Sequence, residues 1–97
     1  MAILHIQRTS AFSKSDFDQC LLAIQENDAL VFIDDGCYNL HYPAFLTLQA
    51  SSSFSIYHIE AHAHARGIKH NNSHSTSISM DKLVALTFQY DTVITWQ

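Results

Sequence analysis

The stretch Ala29-Leu30-Val31-Phe32-Ile33 is apolar without interruption and stops abruptly at Asp34-Asp35-Gly36. A strand with one face in water alternates apolar and polar residues. An unbroken run instead fits a strand covered on both faces, as in a parallel sheet. Parallel neighbours need crossover connections, so the rest of the chain has to supply covering helices on both sides of that strand.

The flanking sequence has the matching pattern. Residues 3–7 read as a first strand. Ser15-Asp16-Phe17-Asp18 approximates a capping box, and Phe17, Cys20, Leu21 and Ile24 recur at helical spacing before Asn27-Asp28 ends the helix. Residues 37–41 are a loop or a short helical turn. Pro43 suits the first position of a helix over 43–49, and Ser51-Ser52-Ser53 is loop. Strands are expected over 54–59, 76–79 and 92–96. Residues 61–66 form a short helical turn stopped by Gly67, 67–75 a polar loop, and 81–90 the last helix, with Leu83, Leu86 and Tyr90 on one stripe and Val84 and Phe88 beside it. Strands alternating with helices imply right-handed crossovers and a mostly parallel sheet. The expected fold is α/β, a small three-layer sandwich that is flavodoxin-like in outline. Its sites belong at the carboxyl ends of the strands: Arg8-Thr9-Ser10, Asp34-Asp35-Gly36-Cys37 and Glu60-Ala61-His62.

Composition narrows the function. Ninety-seven residues suit one domain, 1–97, and five Lys and Arg residues against nine Asp and Glu leave a net charge of −4. Nucleic-acid binding usually needs a clustered basic face, and here the cations are few and scattered. The low charged fraction, 14%, invites a protein partner. No apolar run approaches the roughly 18–20 residues of a membrane span, and no signal peptide is visible at the start, so a cytoplasmic location is expected. Two cysteines do not make a disulfide framework in that compartment.

Each residue able to carry chemistry also has a plain structural role. Cys20 lies on the apolar stripe of the first helix, where cysteine behaves as a small hydrophobe. The alternative is a persulfide carrier, which needs a thiolate and access to a donor. Cys37 follows a strand, where a helix N-terminus would favour a thiolate, but Asp34 and Asp35 disfavour one there. The Asp34-Asp35-Gly36 turn offers a magnesium or phosphoacceptor motif, or simply a strand-ending turn in which Gly36 takes a conformation that other residues resist. His58, His62, His64, His70 and His74 match no standard zinc spacing, with His58 in a strand and the group as a whole read as decoration of a solvated loop. Trp96 suits either the core or a subunit interface.

Four segments in order, Ile3-Leu4-His5-Ile6, Cys20-Leu21-Leu22, Asp34-Asp35-Gly36-Cys37-Tyr38 and Asp91-Thr92-Val93-Ile94-Thr95-Trp96, make the chain resemble the TusB/DsrH family. That family consists of small subunits of bacterial sulfur-relay complexes, and the likeness covers essentially the whole chain. It implies a small α/β fold joined to TusC/DsrF-like and TusD/DsrE-like subunits in a heterohexamer. Persulfide sulfur then passes to a TusE/DsrC-like acceptor and on to 2-thiolation of the tRNA wobble uridine. The principal carrier cysteine belongs to the TusD subunit, so the resemblance implies a mainly structural partner with no catalytic residue, cofactor or metal of its own. DsrH-type members, which serve sulfur oxidation, carry a cysteine matching Cys20, and this keeps Cys20 as the carrier candidate. Cys37 departs from the family's aliphatic residue after Asp-Gly. Three readings therefore stand: an assembly subunit, a Cys20 persulfide carrier, and a histidine-based metal module.

Overall fold

The computed structural model describes residues 2–12, 14–41, 54–68 and 75–96. The helix expected over 43–49, the serine loop, His70 and His74 lie outside them. Five strands, β1 (Ile3–Gln7), β2 (Ala29–Phe32), β3 (Ser55–Ile59), β4 (Thr76–Ile78) and β5 (Thr92–Trp96), form one sheet in the order β4-β3-β2-β1-β5. Every pairing is parallel. This is the α/β class and layering that the apolar run predicts. The strand order is its own, since flavodoxin-type sheets run 2-1-3-4-5.

That order explains how the helices are distributed. From β1 to β4 the chain steps steadily in one direction, then returns across the whole sheet to β5. Right-handed crossovers place helices from opposite steps on opposite faces. Helix α1 (Asp16–Ala23), a 3-10 helix (Asp34–His41) and α2 (Glu60–Ala65) lie on one face, and α3 (Met80–Thr87) covers the other. On the first face Phe17 and Cys20 pack with Leu30, Phe32, Cys37, Leu40, Ile56 and Ala63. Phe17 meets Phe32 edge to face at 5.5 Å, a favoured aromatic geometry. On the second face Leu83 and Leu86 pack on Leu4, Ile6, Ala29, Val31, Ile59 and Ile78. Strand β2 is fully buried along its length, as an unbroken apolar strand should be.

Several local signals resolve differently from the sequence expectation. Ser15 occupies the N-cap of α1, but its side chain makes no capping bond; Thr9 Oγ1 reaches Asp16 instead. Helix α1 stops at Ala23 because Ile24 is already extended, and the chain turns through Asn27 at φ 76°. Ser79 caps α3 by accepting from the Lys82 N–H. Helix α3 ends at Thr87 because the N–H groups of Phe88 and Gln89 bond three residues back, to the carbonyls of Ala85 and Leu86. Gly67 is left-handed at φ 66°, closing α2 as its position predicts.

A buried polar chain runs beneath α1. The Trp96 indole N–H donates to His5 Nδ1 at 3.1 Å. His5 therefore carries its proton on Nε2 and donates to Asp28 Oδ2 at 3.0 Å. Asp28 also accepts from the backbone N–H groups of Ile3 and Gln25. Burial acts to raise the Asp28 carboxyl, but these three donors outweigh it and hold the group below its ordinary value. A depressed carboxyl contributes stability above its unfolded value of about 3.9 and loses it as pH falls through the folded value. Asp28→Asn places an amide against donors, and it should lower unfolding free energy at pH 7 by about 2–3 kcal/mol. Urea titrations between pH 7 and pH 3 should also show less acid destabilisation in the variant than in the parent chain.

Candidate functional site

The carboxyl ends of β1, β2 and β3 meet where the 3-10 helix leaves β2. Asp34 opens that helix at φ 48°, in the left-handed region, where aspartate is tolerated better than most side chains. Its N–H donates to His62 Nδ1 at 3.0 Å. The ring is therefore neutral with its proton on Nε2, and the 3.6 Å approach of Nδ1 to Asp34 Oδ1 is not an ion pair. Arg8 Nε lies 3.6 Å from Asp34 Oδ2. Arg66 reaches from the end of α2 to donate to Asp35 Oδ1 at 2.9 Å and to the His62 carbonyl. Arg66 thus clasps the 3-10 helix to α2 through Asp35, and Arg8 ties it to the end of β1 through Asp34.

Gly36 is needed for close approach, not for conformation. Its φ lies outside the left-handed region, so the residue with the unusual backbone is Asp34. A Cβ at Gly36 would lie 2.0 Å from the Gln7 carbonyl oxygen. The same oxygen accepts from the Ile33 N–H, so the turn is pressed against the end of β1. Three residues on, Asn39 is fully buried. Its Oδ1 accepts from the Ala11 N–H, and its Nδ2 donates to the Thr9 carbonyl. The turn carries the 3-10 helix back over β1 and fixes the loop between β1 and α1.

Both thiols face inward. Cys20 is fully buried in the core of the first face. Burial, with a smaller effect from the Asp28 charge, pushes its thiol up to about 12. Cys37 is fully buried as well, with Sγ 3.7 Å from the Phe32 carbonyl and 4.0 Å from that of Ile59. Burial raises it to about 11 despite the attraction of Arg66. A thiolate is the nucleophilic form, and in this conformation neither side chain offers one. Cys37 packs as a small hydrophobe in the first-face core.

The histidines divide by environment. His58 is fully buried, not part of a solvated loop. Its Nδ1 lies 2.6 Å from Ser75 Oγ and its Nε2 2.8 Å from Ser77 Oγ. Tyr57 and Ile59 point to the opposite face, so strand alternation turns His58 inward beside Phe32. His62 serves the Asp34 turn, and His64 is exposed. Among the described residues no group of three or more His, Cys, Asp or Glu side chains gathers as a metal-ligand set. The buried polar residues His5, Gln7, Asp28 and Asn39 were missed because each sits in an otherwise ordinary pattern. The one available signal was His5 and Gln7 alternating with Leu4 and Ile6 in a strand that the fold buries on both faces. Trp96 is half-buried against the first-face core and bonded to His5.

The architecture is that of a small parallel α/β protein. It is similar to the crystal structure of the ychN protein from E. coli, with a TM-score of 0.76 at 15% sequence identity over 98% of this chain and 97% of that one. No curated protein matches the chain. The family model described as DsrH like protein matches residues 9–93. The chain belongs to the DsrH-like family, and so to the subunits of Dsr/Tus sulfur-relay complexes, as the sequence resemblance implied.

Two outcomes follow from this geometry. With burial pushing its thiol up to about 12, Cys20 offers little thiolate at pH 8. Iodoacetamide should accordingly leave both cysteines unmodified in the native protein and alkylate both in urea, as read by intact mass. Gly36→Ala forces a methyl group against backbone and should destabilise the chain by about 3 kcal/mol or more, measured by urea unfolding.

Proposed function

We propose that this chain is a structural and assembly subunit of a cytoplasmic sulfur-relay heterohexamer, beside TusC/DsrF-like and TusD/DsrE-like sisters. The complex passes persulfide sulfur through a TusE/DsrC-like acceptor toward 2-thiolation of the tRNA wobble uridine. The observation that carries the structural role is the burial of both thiols within the core of the first face. A carrier thiol has to meet a donor persulfide and then release its sulfur, and both steps need an accessible thiolate.

The charge distribution supports the same division of labour. Arg8 and Arg66 are engaged with Asp34 and Asp35 at the carboxyl edge of the sheet. The described lysines are far apart in sequence, Lys14 in the loop before α1 and Lys82 on α3. A phosphate backbone finds no basic track among the described residues, which fits a subunit that serves an RNA pathway without gripping the RNA. No described helix is long and apolar enough to cross a membrane.

The rival reading, Cys20 as a persulfide carrier in sulfur oxidation, rests on the matching cysteine of DsrH-type members. Cys20→Ser separates the two. Under the assembly reading, native mass spectrometry of the chain co-expressed with its sisters gives two copies of each subunit for both parent and variant. Sulfur transfer to the acceptor is then unchanged. An extra 32 Da on this chain, lost in the variant together with transfer, overturns the assembly reading in favour of the carrier.

A further inference from the structure

Helix α3 turns Leu83 and Leu86 to the sheet and leaves a second apolar stripe facing outward. Met80, Val84 and Phe88 recur every fourth residue on that outer flank and are 47%, 52% and 85% exposed. Residues four apart form one continuous ridge along a helix. At its N-terminal end the ridge runs into a cleft of about 450 Å³ at the carboxyl ends of β3 and β4. Ile59, Ala61, Ile78 and Met80 form its apolar walls, with Glu60, His64 and Ser79 at its polar edge. Met80 belongs to both features, so cleft and ridge make one surface.

Among the described residues, carboxylates border this surface. Among the described residues Glu60 is the charged side chain lining the cleft. By helical geometry Asp81 falls about 20° from Phe88 around α3, whereas Lys82 falls about 160° from the centre of the ridge. An apolar floor with an acidic border fits an apolar ridge bordered by Lys or Arg. Ridges of this i, i+4 type pack into the grooves of a second helix that carries the same spacing.

We propose that α3 and the adjoining cleft form the docking surface for an amphipathic helix of a sister subunit in the relay complex. That helix places an apolar side chain in the cleft, lies along Met80, Val84 and Phe88, and sets a basic residue against Glu60 and Asp81. The proposal rests on the relay-subunit reading and adds the face that meets the partner. It also accounts for a nearly fully exposed phenylalanine at the end of a helix whose inner side is already packed.

The test uses the full chain co-expressed with its DsrE-like and DsrF-like sisters, with V84Q/F88Q and E60Q/D81N as variants. Both pairs are exposed, and circular dichroism of the free chain checks that they fold. The expected result is association by the parent, loss of at least about tenfold in affinity for V84Q/F88Q, and a shallower salt dependence for E60Q/D81N. A parent that assembles together with a V84Q/F88Q chain that assembles equally well overturns the docking surface and leaves the relay reading standing. A parent that ignores both sisters overturns both. If sedimentation instead shows the parent self-associating and V84Q/F88Q monomeric, the occupant is a second copy of this chain and the sister-helix assignment falls.

Discussion

The carboxylate of Asp28 holds together parts of the chain that no local pattern connects. It precedes β2, receives the N–H at the start of β1, and closes the turn after α1 through Gln25. Through His5 it reaches Trp96 at the end of β5. Strands β2 and β5 flank β1 on opposite sides, so this one chain of hydrogen bonds pins both neighbours of β1. A buried carboxylate is costly unless its lone pairs are filled, and here three donors fill them. The indole N–H sets the histidine tautomer that makes the third donor available.

The same economy appears at the other end of the sheet. Asp34 takes a left-handed conformation and receives support from His62, Arg8 and the α2 clasp. Gly36 lets the turn press onto β1, and Asn39 satisfies two backbone groups of the loop after it. The residues that resemble a metal or phosphoacceptor turn are occupied in folding the 3-10 helix over the end of β1. The cysteines are packed by that arrangement: Cys37 sits under the turn, and Cys20 under the helix that the Asp28 turn terminates. Among the apolar surface that the fold leaves exposed is a continuous ridge on α3, which the proposed assembly role would use.

Much of this was legible in the sequence because it depends on local periodicity. The unbroken run 29–33 marks a strand buried on both faces, residues 3–7 and 92–96 stand as strands at those bounds, and Gly67 stops a short helix. The α/β class follows from their alternation. Helix ends were less legible, because α1 ends where Asp28 captures the Gln25 N–H, a contact made by folding. Val84 and Phe88 fall beside the inward stripe in the sequence pattern, and only the packing of α3 shows that they face outward.

Sequence alone determined the element types, the apolar stripes and the family, since these are properties of residue order and spacing. The tertiary structure decided the strand order, the burial of both thiols, and the roles of His5, His58, Asp28 and Asn39. It also showed that Gly36 is required for space while Asp34 bears the left-handed backbone. The physical reason is common to all of these. A polar or nucleophilic side chain acquires its protonation, exposure and partners from residues distant in sequence, as His5 does from Trp96, and those neighbours are set by the crossovers that bring the strands together.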